Sequence, residues 1–199
     1  MTSPLLPQRN FEAVVIGASA GGVEALTVLL PALRGATRAS IFVVLHLPRT
    51  RPSLLVDVFG ARCALPVREA EDKEPVEPGT VYFAPPDYHL LLDRGPRLIL
   101  SADDPVQFSR PSIDVLFESA AELYRERLLA IILSGASDDG TSGVVAVKRG
   151  GGVTVAQSPE TAKASIMPGA AVNSGAIDHV FSLERIASLL QGLEIGNAP

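Results

Sequence analysis

The 199-residue chain has one cysteine, no tryptophan and only 5% aromatic residues. A single thiol, Cys63, excludes an internal disulfide and a thiolate-bound metal cluster, and it suits a reducing compartment. It lies in "ARCALPV" among core-type residues and reads as a small buried hydrophobe rather than a nucleophile. Long apolar runs are missing too: nowhere do about 18 apolar residues follow one another, so membrane insertion is not expected. The opening "MTSPLLPQRN" has no basic segment ahead of an apolar block and no small-residue cleavage site, which leaves the cytoplasm as the expected location. Lysine and arginine number 17 against 22 acidic residues, a net charge of −5, and are scattered. No nucleic-acid partner is expected from that distribution.

What the chain does have is 47% hydrophobic residues, enough for one sizeable core in a single domain over 12–193, with 1–11 a disordered or extended segment. Strand-like and helix-like segments alternate. "FEAVVIG" (11–17) is short and β-branched, and Val23, Leu26, Leu29, Leu30 and Leu33 recur at helical spacing up to Arg34-Gly35. "SIFVVLHL" (40–47) reads as a strand buried on both faces, and Ser53 as the cap of a short helix through Phe59. "HLLLDRGPRLIL" reads as a hairpin inserted into the alternation. Ser112 is expected to cap the helix "IDVLFESAAELYRE"; "LLAIILSG" is another buried strand, followed by a helix over "VVAVKRG", the strand "GVTVAQ" and a last helix "LERIASLLQGL". The expected fold is α/β, a doubly wound and mostly parallel sheet with helices on both faces and a β-hairpin insertion.

In such a sheet the chemistry sits beyond the carboxyl ends of the strands. Three strands end on reactive residues: the first at "GASAG" around Ser19, the second at His46, and a later one at "SGASDDG" with Asp138 and Asp139. A dinucleotide fingerprint fails, because its second glycine is Ser19 and no acid follows the second strand. A phosphate-binding loop fails for want of Gly-Lys-Ser/Thr. "GASAG" is a literal G-x-S-x-G, the sharp strand-to-helix turn that lifts a serine hydroxyl above a sheet, with helix N–H groups beside any oxyanion. A plain connection of small residues between strand and helix has the same look. His46 favours the first reading, since serine needs an adjacent base and the base needs a carboxylate to orient it. Either Asp138 or Asp139 fits, the other serving a turn that caps the next helix. His89 reads as structural or on the rim of the site, and His179 as surface. The three histidines and the two aspartates lack a recognised ligand spacing, so neither a metal nor a cofactor is expected.

"VVIGASAGGVEAL", "VVLHLP", "PVREAEDKEPVEPGTVYFAPPDYHLLL", "RPSIDVLFESAAE", "AIILSGASDDGTSG", "GGVTVAQ" and "SIMPGAAVNSGAIDHV" resemble, in order and spacing, the catalytic domain of chemotaxis protein-glutamate methylesterases. The resemblance runs from about Glu12 to Leu190. It implies a Ser-His-Asp triad of Ser19, His46 and Asp139, with oxyanion and substrate-binding amides at Ala20, Gly21 and Ala136. It also implies hydrolysis of γ-glutamyl methyl esters on the cytoplasmic part of methyl-accepting chemotaxis receptors, with release of methanol, and deamidation of certain receptor glutamines. Members usually carry an N-terminal receiver domain. Here the first strand begins about eleven residues in, so a stand-alone monomer, regulated through a separate receiver or signalling protein, is the expectation. The chain departs from the family at Ala20, commonly Thr, and at Gly135-Ala136-Ser137, commonly Gly-Met-Gly. Those departures bear on substrate more than on reaction type. The alternatives are a non-catalytic docking module and a serine hydrolase of another ester or amide. An Asp139→Asn variant is expected to fold normally and lose activity.

Overall fold

The computed structural model describes residues 9–47 and 53–193. The first eight residues of the expected N-terminal segment lie outside the described residues. Seven parallel strands form one sheet: β1 (Ala13–Ala18), β2 (Ser40–Leu45), β3 (Val67–Glu69), β4 (Val81–Phe83), β7 (Leu128–Ile132), β8 (Val153–Gln157) and β9 (His179–Phe181). Their spatial order is β3-β4-β2-β1-β7-β8-β9. The chain therefore leaves β1 toward β2 on one side and returns beside it as β7 on the other. That reversal at β1 opens the crevice in which α/β sheets place their ligands.

Helices cover both faces, and so the central strands are continuous apolar runs rather than alternating ones. Val14 and Ile16 point to one core with α1 (Gly22–Leu29), α2 (Leu55–Gly60) and α6 (Leu183–Gln191). Ala13 and Val15 point to the other, with α3 (Ile113–Tyr124), α4 (Thr141–Arg149) and α5 (Ile166–Asn173). The inserted hairpin is a separate antiparallel pair, β5 (His89–Asp93) and β6 (Arg97–Ser101). Its leucines Leu90, Leu92 and Leu98 turn toward α3, where Ser119 Oγ accepts the Leu92 N–H. Among the described residues no helix is long and apolar enough to cross a membrane.

Several expectations shift. The first helix ends earlier, at Leu29, and tightens into a 3₁₀ turn over Leu30–Ala32, while Val23 is exposed rather than in the core. Cys63 is half-buried, with burial pushing its thiol pKa up, as an inert packing residue requires. His179 lies in edge strand β9 and is only partly exposed, its ring stacked on Phe181. Elements β3, β9 and α5 go unrecognised in the sequence. The two strands have three residues each, too few to show a period. Helix α5 carries Pro168 and Gly169, but the proline sits in the first turn, where no intrahelical donor is lost, and burial of Met167 and Ala171 holds it.

Candidate active site

The site begins at the end of β1. After Ala18 the chain turns sharply, and Gly21, with φ +81°, starts α1 from a left-handed conformation that side chains disfavour. A Cβ on Gly21 would lie 2.7 Å from Ser134 Oγ and 2.8 Å from Lys163 Cβ. The turn thus needs glycine for both conformation and space. Ser134, just beyond β7, ties it down. Its carbonyl accepts the Ser19 N–H at 3.0 Å, and its hydroxyl donates to Ala20 O at 2.7 Å while accepting from Ala164 N at 2.9 Å. Its own N–H goes to Gln157 Oε1 at the end of β8. Three strand ends are joined through one serine that no sequence argument singled out.

Ser19 Oγ itself bonds no described group. The backbone N–H groups of Ala20, Gly21 and Ala136 likewise donate to no described residue. Free amide donors at a helix N-terminus and a following loop are the material of an oxyanion-binding site. Beside them, Ser137 Oγ is buried without a partner in the loop that departs from the family.

His46 follows β2, the neighbour of β1. The register pairs Ala18 with Leu45, and the His46 N–H donates to Ala18 O at 3.0 Å. Ser19 and His46 are therefore the next residues along two adjacent strands, whose spacing is about 4.8 Å. His46 Nε2 bonds Asp139 Oδ2 at 2.8 Å. A carboxylate only accepts, so Nε2 carries the proton, and in the neutral ring the free lone pair is on Nδ1.

Asp139 is fully buried. Burial by itself raises a carboxyl pKa, but hydrogen bonds from His46, Ile113 N, Asp114 N and Ser112 Oγ outweigh it and hold Asp139 below its ordinary value. Oδ2 accepts from Ile113 N at 2.7 Å as well as from His46; Oδ1 accepts from Ser112 Oγ at 2.8 Å and Asp114 N at 3.1 Å. Ser112 was expected to cap α3, and it occupies the cap position, but its side chain accepts no helix N–H. The capping is done from a distance by Asp139, which answers the first free donors of α3 and meets the positive end of its dipole. Asp138, the other candidate, is exposed and contributes a carbonyl to the turn opening α4.

Asp114 stands one step further out. It is buried, accepts from Gly143 N at 2.7 Å, and has its pKa raised to about 6. Burial is the largest cause; the Gly143 bond opposes it, and the neighbouring Asp139 charge adds to it. His89 is buried, with Nδ1 accepting from Ser112 N and Nε2 donating to Asp104 O, each at 3.1 Å. Of the expected site residues, the structure joins His46 to Asp139 and sets the Ser19 turn on the adjoining strand end. Ser112, Asp114, Ser134 and Gln157 complete the surroundings, and only the run "RPSID" between hairpin and helix signalled any of them.

Residues 14–190 match the family described as CheB methylesterase. A Leptospira interrogans protein with the provisional name protein-glutamate methylesterase/protein-glutamine glutaminase is 42% identical over 94% of the chain and 97% of its own length. A Rhodospirillum centenum protein-glutamate methylesterase/protein-glutamine glutaminase is 35% identical over 94% of the chain, which spans 48% of that protein. The crystal structure of the Thermotoga maritima CheB methylesterase catalytic domain superposes with a TM-score of 0.88 at 36% identity, covering 93% of this chain and 100% of that one. With the family matched over residues 14–190 and the α/β architecture shared with the Thermotoga maritima domain, the chain belongs to the CheB methylesterase family.

Proposed function

We propose that the protein is a cytoplasmic, monomeric serine hydrolase. It removes methyl groups from γ-glutamyl methyl esters on the cytoplasmic part of methyl-accepting chemotaxis receptors, and deamidates receptor glutamines by the same route. One catalytic domain, residues 12–193, carries the activity. The observation that carries this reading is the His46 Nε2–Asp139 bond, 2.8 Å long and buried on the carboxylate side, beside the turn bearing Ser19.

Because Nε2–H is committed to Asp139, His46 acts through Nδ1. Nδ1 takes the Ser19 proton as Oγ attacks the ester carbonyl, and Asp139 stabilises the imidazolium. The N–H groups of Ala20, Gly21 and Ala136 receive the oxyanion, each such donor contributing about 3–4 kcal/mol in comparable sites. The imidazolium gives its proton to the departing methoxide, releasing methanol. The same nitrogen then deprotonates the water that cleaves the acyl-enzyme. With a glutamine substrate the leaving group is ammonia. Ser19 Oγ is not bonded to His46 in the free protein, and such contacts commonly close only around substrate.

A protein substrate is supported by the rim. Val23, Leu54, Tyr88 and Ile166 are large, exposed apolar residues following the carboxyl ends of sheet strands. Phe108, 98% exposed, lies four residues before Ser112. Exposed apolar side chains on segments that follow the sheet strands are what a macromolecular partner can use. Regulation is assigned to a separate receiver or signalling protein.

The test is methanol release from methyl-esterified receptor membranes, with Ser19→Ala as the paired control. Release by the wild type is expected, falling by a factor on the order of 10⁴ or more in the variant. Its thermal unfolding should be unchanged, since the lost hydroxyl bonds nothing described. No release, with a fluorophosphonate still labelling Ser19, would point to another ester or amide. Absence of labelling would make the chain a docking module.

A further inference from the structure

We propose that His89 is a positioning residue: as a neutral imidazole it holds Ser112, and through Ser112 the carboxylate of Asp139, in the arrangement that orients His46. The inference rests on the reading of His46 and Asp139 as base and orienting carboxylate. His89 lies at the start of β5, in the inserted hairpin, outside the seven-stranded sheet that supplies Ser19, His46 and Asp139.

The partners fix its protonation. Ser112 N–H can only donate, so His89 Nδ1 is bare; Asp104 O can only accept, so Nε2 carries the hydrogen. From Nδ1 the contacts run without a gap. Ser112 N lies 3.1 Å from Nδ1, Ser112 Oγ 2.8 Å from Asp139 Oδ1, and Asp139 Oδ2 2.8 Å from His46 Nε2. The two N–H groups after Ser112, those of Ile113 and Asp114, also end on Asp139. The start of α3 is therefore gripped on one side by His89 and on the other by the carboxylate. A histidine that merely filled space would not spend its one acceptor on the residue whose hydroxyl sits on that carboxylate. Without the acceptor, the buried Ser112 N–H has no partner, and the local adjustment that finds one must move the hydroxyl. The hairpin is thereby more than a cover for α3: it fixes one wall of the site.

Two variants separate the role from bulk. His89→Asn places an amide oxygen close to the Nδ1 position and keeps the Ser112 bond. His89→Gln carries its amide past that point toward Nε2 and offers Ser112 N nothing. The chain has three histidines, so a ring-nitrogen-labelled sample gives one resolved set of signals for each. Wild type and His89→Asn are expected to show the downfield Nε2–H proton of His46 and to react with a fluorophosphonate at similar rates. His89→Gln should lose that proton signal and react about tenfold to a hundredfold more slowly, a displacement effect near the chemistry. With a substrate the loss should fall on kcat and leave KM unchanged.

A His89→Gln protein that keeps both the signal and the rate would overturn the proposal. So would a His89→Asn protein that loses them, or a wild-type His89 found protonated on Nδ1 at neutral pH. The His46 signal needs no turnover. Should wild-type Ser19 prove unreactive, the nucleophile assignment fails, while the His89 assignment is still decided by the spectrum.

Discussion

Two halves of one rim are built in opposite ways. At the end of β7, Asp139 is buried and each of its oxygens already accepts two hydrogen bonds. At the end of β1, the Ser19 hydroxyl and the amides of Ala20 and Gly21 bond nothing described, and neither does the Ala136 amide facing substrate from the loop after β7 in the proposed site. The first half has spent its capacity within the protein, and the second keeps it open, as the proposed nucleophile and oxyanion roles require. Catalytic groups that must not move are saturated, since a buried charge without partners would be costly. Groups that must receive a developing charge are left open at the surface. The open half is held through its backbone, by the Ser134 carbonyl and hydroxyl and by the glycine turn.

Of the substitutions that test this contrast, Asp139→Asn attacks the saturated half and carries the largest expected effect. Esterase activity should fall by a factor on the order of 10³–10⁴ through the wrong histidine tautomer. Stability should fall too, by about 1–3 kcal/mol for the NH₂ that must face N–H or O–H donors on one side of the amide. The variant is still expected to fold, at a lower stability, because the carboxylate also caps α3. Denaturant unfolding beside methanol release measures both losses; an unchanged stability would mean that α3 is not held from Asp139.

Gly21→Ala attacks the open half through its scaffold. A side chain at φ +81° is strained and meets Ser134 and Lys163. The expected loss is about 2 kcal/mol of stability, together with slower fluorophosphonate labelling of Ser19. A variant as stable and as reactive as the wild type would show that the turn relaxes freely.

The substitution with the smallest expected effect on activity sharpens the contrast without breaking it. Asp114 has its pKa raised from 3.8 to about 6, so its folded-state contribution is full below pH 3.8 and is lost as pH rises through 6. Asp114→Asn keeps an acceptor for Gly143 N and carries no charge. It should be more stable than the wild type by up to about 3 kcal/mol at pH 8, and no more stable near pH 4. Thermal melts at the two pH values check this, and a gain that persists at pH 4 would assign the effect to something other than the charge.

Much of the fold is legible locally. The runs around Val14, Val43 and Ile131 are unmistakable as buried strands, and "HLLLDRGPRLIL" is a hairpin by its turn residues alone. Short edge strands and α5 are not, because they persist through burial against neighbours rather than through their own periodicity. Within the site, Ser19 and His46 stand out because each ends a strand. Asp138 and Asp139 are adjacent carboxylates that only the tertiary structure separates, one exposed and one buried on the end of α3. Ser112 announces itself as a helix cap and proves to be a donor to another element. A sequence shows that a hydroxyl precedes a helix, but not which distant oxygen faces it.

By itself, then, the order of residues determined the alternation of strands and helices, the sharp glycine turn around Ser19 and the arrival of an imidazole and a carboxylate on the same sheet edge. These follow from local preferences and from the period of the apolar residues. Residue types left Asp138 and Asp139 open and the family resemblance pointed to Asp139; the tertiary structure alone decided that His46 meets it through Nε2, and that His89 reaches the site from the hairpin. Each depends on how separate elements pack, and a hydrogen bond across 93 residues has no counterpart in local periodicity.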